Sequence, residues 1–175
     1  MPLTPLHYPV AFILYHVSKR HLNLPVLIIS SMIPDLEIPL IFFLTGGLID
    51  RLILHSLIGG VVFGVPLTIL VFYPLYKIFF KKIAGDISFN GASYKILVLS
   101  ATIGVLSHTL LDSTQHPYNP LLWPISYNSF NNFILFGDLI LASNLLYIIF
   151  TISTIAIIVY ILLNGRGFLN QIFIG

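Results

Sequence analysis

Residues 139–163 read LILASNLLYIIFTISTIAIIVYILL, without one charged side chain. At about 1.5 Å per helical residue, such a run reaches across the ~30 Å hydrocarbon core of a bilayer. Lipid offers no partner to a backbone N–H or C=O, so a spanning segment must bond within itself, as a helix does. Two more runs, 52–76 and 94–115, are long and apolar enough for the same reading, and Gly59, Gly60 and Gly64 in the first of them allow close helix approach. A third, 22–44, is interrupted by Pro34 and Pro39. Backbone broken at membrane depth is tolerated where it lines a protein cavity. Residues 8–17 form a shorter apolar stretch, too brief to span alone. The expected fold is therefore all-α: a polytopic membrane helical bundle with a short N-terminal helix and about four transmembrane helices. At 175 residues it is expected to be one domain, 1–175.

Composition supports this reading. The chain is 57% hydrophobic and 8% charged, with mean hydropathy +0.99. The net charge of +2 is too small and too scattered for a nucleic-acid surface. The start, MPLTPLHYPV, lacks the basic segment and cleavage site of a signal peptide, so the first helix is expected to be retained. Lys19, Arg20, Lys77, Lys81, Lys82, Lys95 and Arg166 fall on one side of alternating crossings, by the positive-inside rule the cytoplasm. Loop 116–138 has no Lys or Arg and falls outside. Arg51 is the exception, and, just before His55 in the outer loop, it is the only candidate to clamp a phosphate.

Against this background the few ionisable residues stand out. His7, Asp35, Glu37, His55, His108 and Asp112 lie in or beside the apolar runs, and His116 follows one turn after Asp112. Charge inside a membrane is costly, so such groups usually face a cavity and a partner. Counting from the cytoplasmic anchors at about 1.5 Å per residue, His7, Asp35, His108 and Asp112 come about 18–26 Å up, and His55 about 33 Å. Four segments thus deliver polar groups to the outer half of the membrane.

His108-Thr-Leu-Leu-Asp112-Ser-Thr-Gln-His116 places its polar residues at i, i+4 and i+8, on one helix face. That spacing suits neighbouring ligands of one metal, with Pro117 expected to end the helix. In Pro34-Asp35-Leu36-Glu37 the carboxylates would point about 200° apart on a regular helix. They can share one site only if the backbone breaks there. Asp35 is read as a ligand and Glu37 as a base or supporting partner, with the reverse assignment open. With no cysteine in the chain, a metal must take imidazole and carboxylate ligands. Zinc, iron, manganese and nickel accept these.

Simpler roles compete. His108 and Asp112 could be an interhelical hydrogen-bond pair, His55 an interfacial residue beside a Ser56 cap, and His7 a solvated terminal histidine. His16 and His21 read as interface residues beside Lys19 and Arg20. Asp138 reads as the cap of the last span. Tyr118, Trp123 and Tyr127 read as an interfacial aromatic belt.

His7-Tyr8-Pro9, Pro34-Asp35-Leu36-Glu37, His55-Ser56, Ser107-His108 with Asp112, and Leu121-Leu122-Trp123-Pro124 together resemble the YdjM-type family of bacterial and archaeal membrane proteins. The start is similar to a variant beginning Met-Pro-x-Thr-Pro-x-His. The resemblance covers about 1–124 and implies a membrane-bound metal-dependent hydrolase. Well-known members carry Asp-x-Asp-His where this chain has Asp35-Leu36-Glu37-Ile38, so a second metal is not implied. The helix from His108 to Pro117 is also similar, by analogy, to the zinc-binding helix of phospholipase C-type enzymes.

The expected metal ligands are His7, Asp35, His55, His108 and Asp112, with Glu37 and His116 as catalytic residues. The expected cofactor is a divalent metal, zinc first, or a pair of them if His116 and Glu37 also bind. The expected substrate is a lipid-linked or membrane-adjacent ester, a phosphoester first, with membrane lipids as partners. Two other classes fit the same residues. One is a proton- or metal-translocating membrane protein, the other a non-enzymatic protein whose polar cluster locks helices together.

Overall fold

The computed structural model describes residues 7–84, 91–164 and 173–174. The opening 1–6, most of the polar loop expected over 83–93, and Arg166 lie outside them. Helix α1 (Tyr8–Val17) is followed by α2 (Leu24–Ser30), a 3-10 turn (Ile33–Leu36) and α3 (Glu37–Leu44). Next come the helical run α4 (Leu57–Lys82), then α5 (Tyr94–Asp112) and α6 (Leu139–Asn164). Four segments are long and apolar enough to cross a membrane: Leu24–Leu44, Leu57–Lys82, Tyr94–Asp112 and Leu139–Leu163. The all-helical membrane bundle expected from hydropathy is the fold found.

Local chemistry sets the ends. Asn23 caps α2 by accepting from the Val26 N–H, and Ser56 caps α4 by accepting from the Gly59 N–H. The Asp138 carboxylate accepts from the N–H groups of Ile140 and Leu141 and so opens α6. Between α1 and α2, Lys19 and Arg20 turn the chain through the left-handed region, at φ 52° and 64°. The first span breaks at Pro34 and not at Pro39. Pro39 is the third residue of α3, where its missing N–H would have no intrahelical acceptor. Helix α5 stops at Asp112, earlier than expected, and Ser113–Gln115 continue as a turn.

Helix α4 is wound wide in two places, with π-helical turns at Gly60–Gly64 and Thr68–Phe72. Each lies just before a proline, Pro66 or Pro74. A proline removes one N–H and crowds the carbonyl four residues back, here Val62 or Leu70. Both residues fall inside the wide turns, which relieve that crowding.

Helix packing centres on α5. A Cβ at Gly60 would come 2.8 Å from Val105 Cγ1, and one at Gly64 3.3 Å from Val105 Cγ2. Those two glycines let α4 lie against α5, as small residues do between membrane helices. On the other face, Gly104 admits Ser30 and brings α2 onto α5. The Asn23 N–H donates to Ser100 Oγ at 2.9 Å and fixes the register of the pair. Val26, Val65, Ile69, Ala101 and Val105 fill the seam. Helix α1 packs on α2 through Ala11, Tyr15, Leu24 and Leu27, and on α6 through Phe12 and Ile161.

Candidate metal centre

The break at Pro34 builds half of the site. Because α2 ends at Ser30, the Ser31 carbonyl is turned toward α5, where His108 Nδ1 meets it at 2.7 Å. A carbonyl only accepts, so Nδ1 carries the proton and Nε2 offers a lone pair. The 3-10 turn carries Asp35 toward the same point. The carboxylates that a regular helix would separate therefore both face the cluster, in different roles.

Glu37 builds the second half. Its carboxylate accepts the backbone N–H groups of Leu52, Ile53, Leu54 and His55 at 2.7–3.1 Å. It also accepts His55 Nδ1 at 2.8 Å. A single buried acid thus closes the loop preceding α4 and orients the His55 ring. His55, like His108, is left with Nε2 facing inward.

Four ligand groups then converge, from Asp35, His55, His108 and Asp112, all within 4.8 Å of one another. The two Nε2 atoms are 3.3 Å apart. Asp35 Oδ1 lies 3.6 Å from His55 Nε2 and 3.4 Å from His108 Nε2. Asp112 Oδ2 lies 3.5 and 3.6 Å from the same two atoms. A tetrahedral cation with bonds near 2.1 Å sets its ligands roughly 3.4 Å apart. Five of the six edges match that figure. Two imidazoles with both Nδ1 protons committed cannot both carry a proton on Nε2 when those atoms face each other at 3.3 Å. Inward lone pairs, each fixed by an outer hydrogen bond, are the usual arrangement of metal-binding histidines. Asp112 Oδ1 is buried without a hydrogen-bond partner, a further mark of a site that suits a cation. The buried Asp-His-His-Asp group can therefore hold a metal ion.

His7 and His116, also expected in the site, lie at its edge. The His7 ring stacks on His108 with centroids 4.1 Å apart, and its Nε2 stands 3.8 Å from Asp112 Oδ1. His116 Nε2 is 3.5 Å from Asp112 Oδ2 and 3.4 Å from an Arg51 guanidinium nitrogen. Burial lowers the His116 pKa to about 4; Asp112 opposes this and Arg51 adds to it. The imidazole is thus neutral near pH 7.

Arg51, in the sequence an exception to the charge pattern and the only candidate to clamp a phosphate, is 3% exposed. Its Nη1 pairs with the Asp50 carboxylate at 2.9 Å, and its Nε lies 3.4 Å from Asp112 Oδ2. Placed between Asp112 and His116, the guanidinium is a fixed positive charge beside the four-ligand group. Beyond it opens a cleft of about 470 Å³, lined among others by Asp50, Arg51, His116, Ser143 and Asn144. Gln115 lines it too. Sequence reasoning passed over that residue, yet its side-chain amide is buried without a hydrogen-bond partner. Ser143 ties α6 to this corner by donating to the Gln115 carbonyl.

Comparison with known proteins agrees with the resemblance carried by the motifs. The profile of the YdjM inner membrane proteins matches residues 8–170. The chain belongs to the YdjM inner membrane protein family. No curated protein and no solved structure matches it. The YdjM match runs through all four spans and therefore through every residue of the cluster.

Proposed function

We propose that this YdjM-family chain is a membrane-bound metal-dependent hydrolase acting on an ester carried by a lipid or held at the membrane surface. The observation that carries the proposal is the near-tetrahedral set of Asp35, His55, His108 and Asp112, with both histidines oriented from outside. The set has two nitrogens and two oxygens and no sulfur, which suits zinc first and manganese, iron or nickel after it. A divalent cation held there, with one coordination position left to water or substrate, would supply Lewis acidity that polarises the scissile group and makes a water acidic enough to attack.

The chain's own residues do the rest. Glu37, with its oxygens committed to four N–H groups and His55, acts as the positioning residue and leaves the base role to His116. In hydrolysis the water oxygen bonds to the carbonyl or phosphoryl centre, the ester bond breaks, and the alcohol leaves. His116 Nε2, at the mouth of the cleft, accepts the proton lost by the water and returns it to the leaving oxygen. Arg51 faces the negative charge that develops on the reacting oxygens. Surrounding apolar helices exclude bulk water and strengthen each of these interactions.

The test is elemental analysis of detergent-purified protein beside His108→Ala. Near-stoichiometric metal in the parent and none in the variant is expected, followed by activity on a panel of carboxylic and phosphoric esters. Folded parent protein that takes up no zinc, manganese, iron or nickel would sink the hydrolase reading.

A further inference from the structure

A second cavity touches the cluster at Asp35, and its lining shares no residue with the cleft of Arg51. A groove of about 300 Å³ runs between α2 and α4, lined by Ile28, Ile29, Met32, Ile33, Leu36 and Phe72, with Asp35 and Tyr76. Apart from those last two, every lining side chain is apolar. Asp35 is also one of the four converging ligand groups. The groove therefore ends on the candidate metal centre itself.

Its lining residues belong to two of the four spanning segments, Leu24–Leu44 and Leu57–Lys82. An apolar groove between two such segments suits the hydrocarbon chain of a lipid. The cleft beside Arg51 carries polar side chains, among them His116, Ser143 and Asn144. The candidate metal centre is thus met at Asp35 by an apolar groove and flanked at Arg51 and His116 by a cleft that offers polar groups. That is the layout an amphiphile requires, with its head-group linkage at the junction. The volume also falls at the lower end of the ~300–1,000 Å³ usual for ligand sites.

We propose that the groove between α2 and α4 seats the hydrocarbon chain of a membrane lipid, placing that lipid's head-group linkage beside Asp35. The proposal rests on the hydrolase reading for what happens at the linkage, but chain binding can be measured without turnover. The chain enters sideways from the bilayer, and the head group lies toward the cleft of Arg51.

The experiment uses the full chain in nanodiscs of phosphatidylethanolamine and phosphatidylglycerol, doped with phosphatidylglycerol bearing a diazirine near the end of its acyl chain. After irradiation, adducts are mapped by mass spectrometry, and bound metal is measured on the same samples. Adducts are expected to concentrate on residues 28–33 and 72–76, several-fold above the exposed face of α6 at Ile148, Ile152 and Ile155. Leu36→Trp should fill the groove and lower the labelling there several-fold. Leu40→Trp, one turn on and also exposed but outside the groove lining, should not. Groove labelling no denser than on α6, or unchanged by Leu36→Trp, would overturn the proposal; the parent comparison decides even if that variant misfolds. Metal retained with an unlabelled groove overturns the groove alone. A labelled groove in protein that binds no metal supports chain binding and overturns the hydrolase reading.

Discussion

At the scale of single residues, Glu37 shows how much one acid can organise. It takes five hydrogen bonds, four from consecutive backbone N–H groups and one from His55. Hydrogen bonds to a charged acceptor are worth roughly 1.5–3 kcal/mol each. Glu37→Gln keeps the shape but turns an amide NH2 toward groups that only donate. The expected cost is about 2–3 kcal/mol of stability, with metal affinity weakened roughly 10–100-fold, as for other outer partners of ligand histidines. Metal titration of the variant checks this, and unchanged affinity would remove Glu37 from the support of His55. His116→Gln should behave oppositely, retaining metal while losing turnover by about 10²–10⁴-fold. The histidines and acids were legible in the sequence because they are rare and sit in apolar runs. The division of labour between Asp35 and Glu37 was not, because it depends on a backbone break whose geometry the motif does not state.

At the scale of the elements, the close seams decide where the ligands meet. Helix α2 approaches α5 where Gly104 faces Ser30, and a Cβ on Gly104 would run into the Ser30 side chain and lie 3.1 Å from the Leu27 carbonyl. Gly104→Ala should therefore destabilise the protein by about 1–3 kcal/mol through overpacking. Adding Ser30→Gly should recover part of that loss, since the two sites share one contact. Thermal unfolding in detergent of the single and double variants reads both effects. No recovery would place the strain elsewhere. The sequence marked Gly59, Gly60 and Gly64 as points of close approach. Gly60 and Gly64 do face Val105, whereas a Cβ on Gly59 would strike the Ile53 carbonyl of the loop preceding its own helix. The wide turns of α4 follow from Pro66 and Pro74. Reading them in advance would have required knowing that the helix continues past each proline.

At the scale of the whole molecule, the cluster lies at one end of the bundle. Between Lys95 and His108, α5 carries no ionisable side chain, so a proton relay through the cluster would have no continuation along this helix. That favours a one-sided site over a translocation path. The orientation is open to a clean test because the chain contains no cysteine. Asn128→Cys, in the loop between α5 and α6, should react with an impermeant maleimide added outside intact cells. Lys81→Cys, at the far end of α4, should react only after lysis. The reverse pattern would put the cluster on the cytoplasmic side.

The sequence alone determined the helical membrane fold, because uncharged runs of this length leave the backbone no other way to satisfy its hydrogen bonds. It also singled out the rare ionisable residues that the fold brings together, because charge in such runs is costly without a partner. Tertiary structure alone decided which four of them share one point, which acid supports and which faces inward, and how Arg51 pairs with Asp50 and Asp112 beside them. Those outcomes depend on distances of a few tenths of an ångström between separate helices. Proline breaks, glycine contacts and a carboxylate closing a loop fix those distances together, and none of them is a local property of the chain.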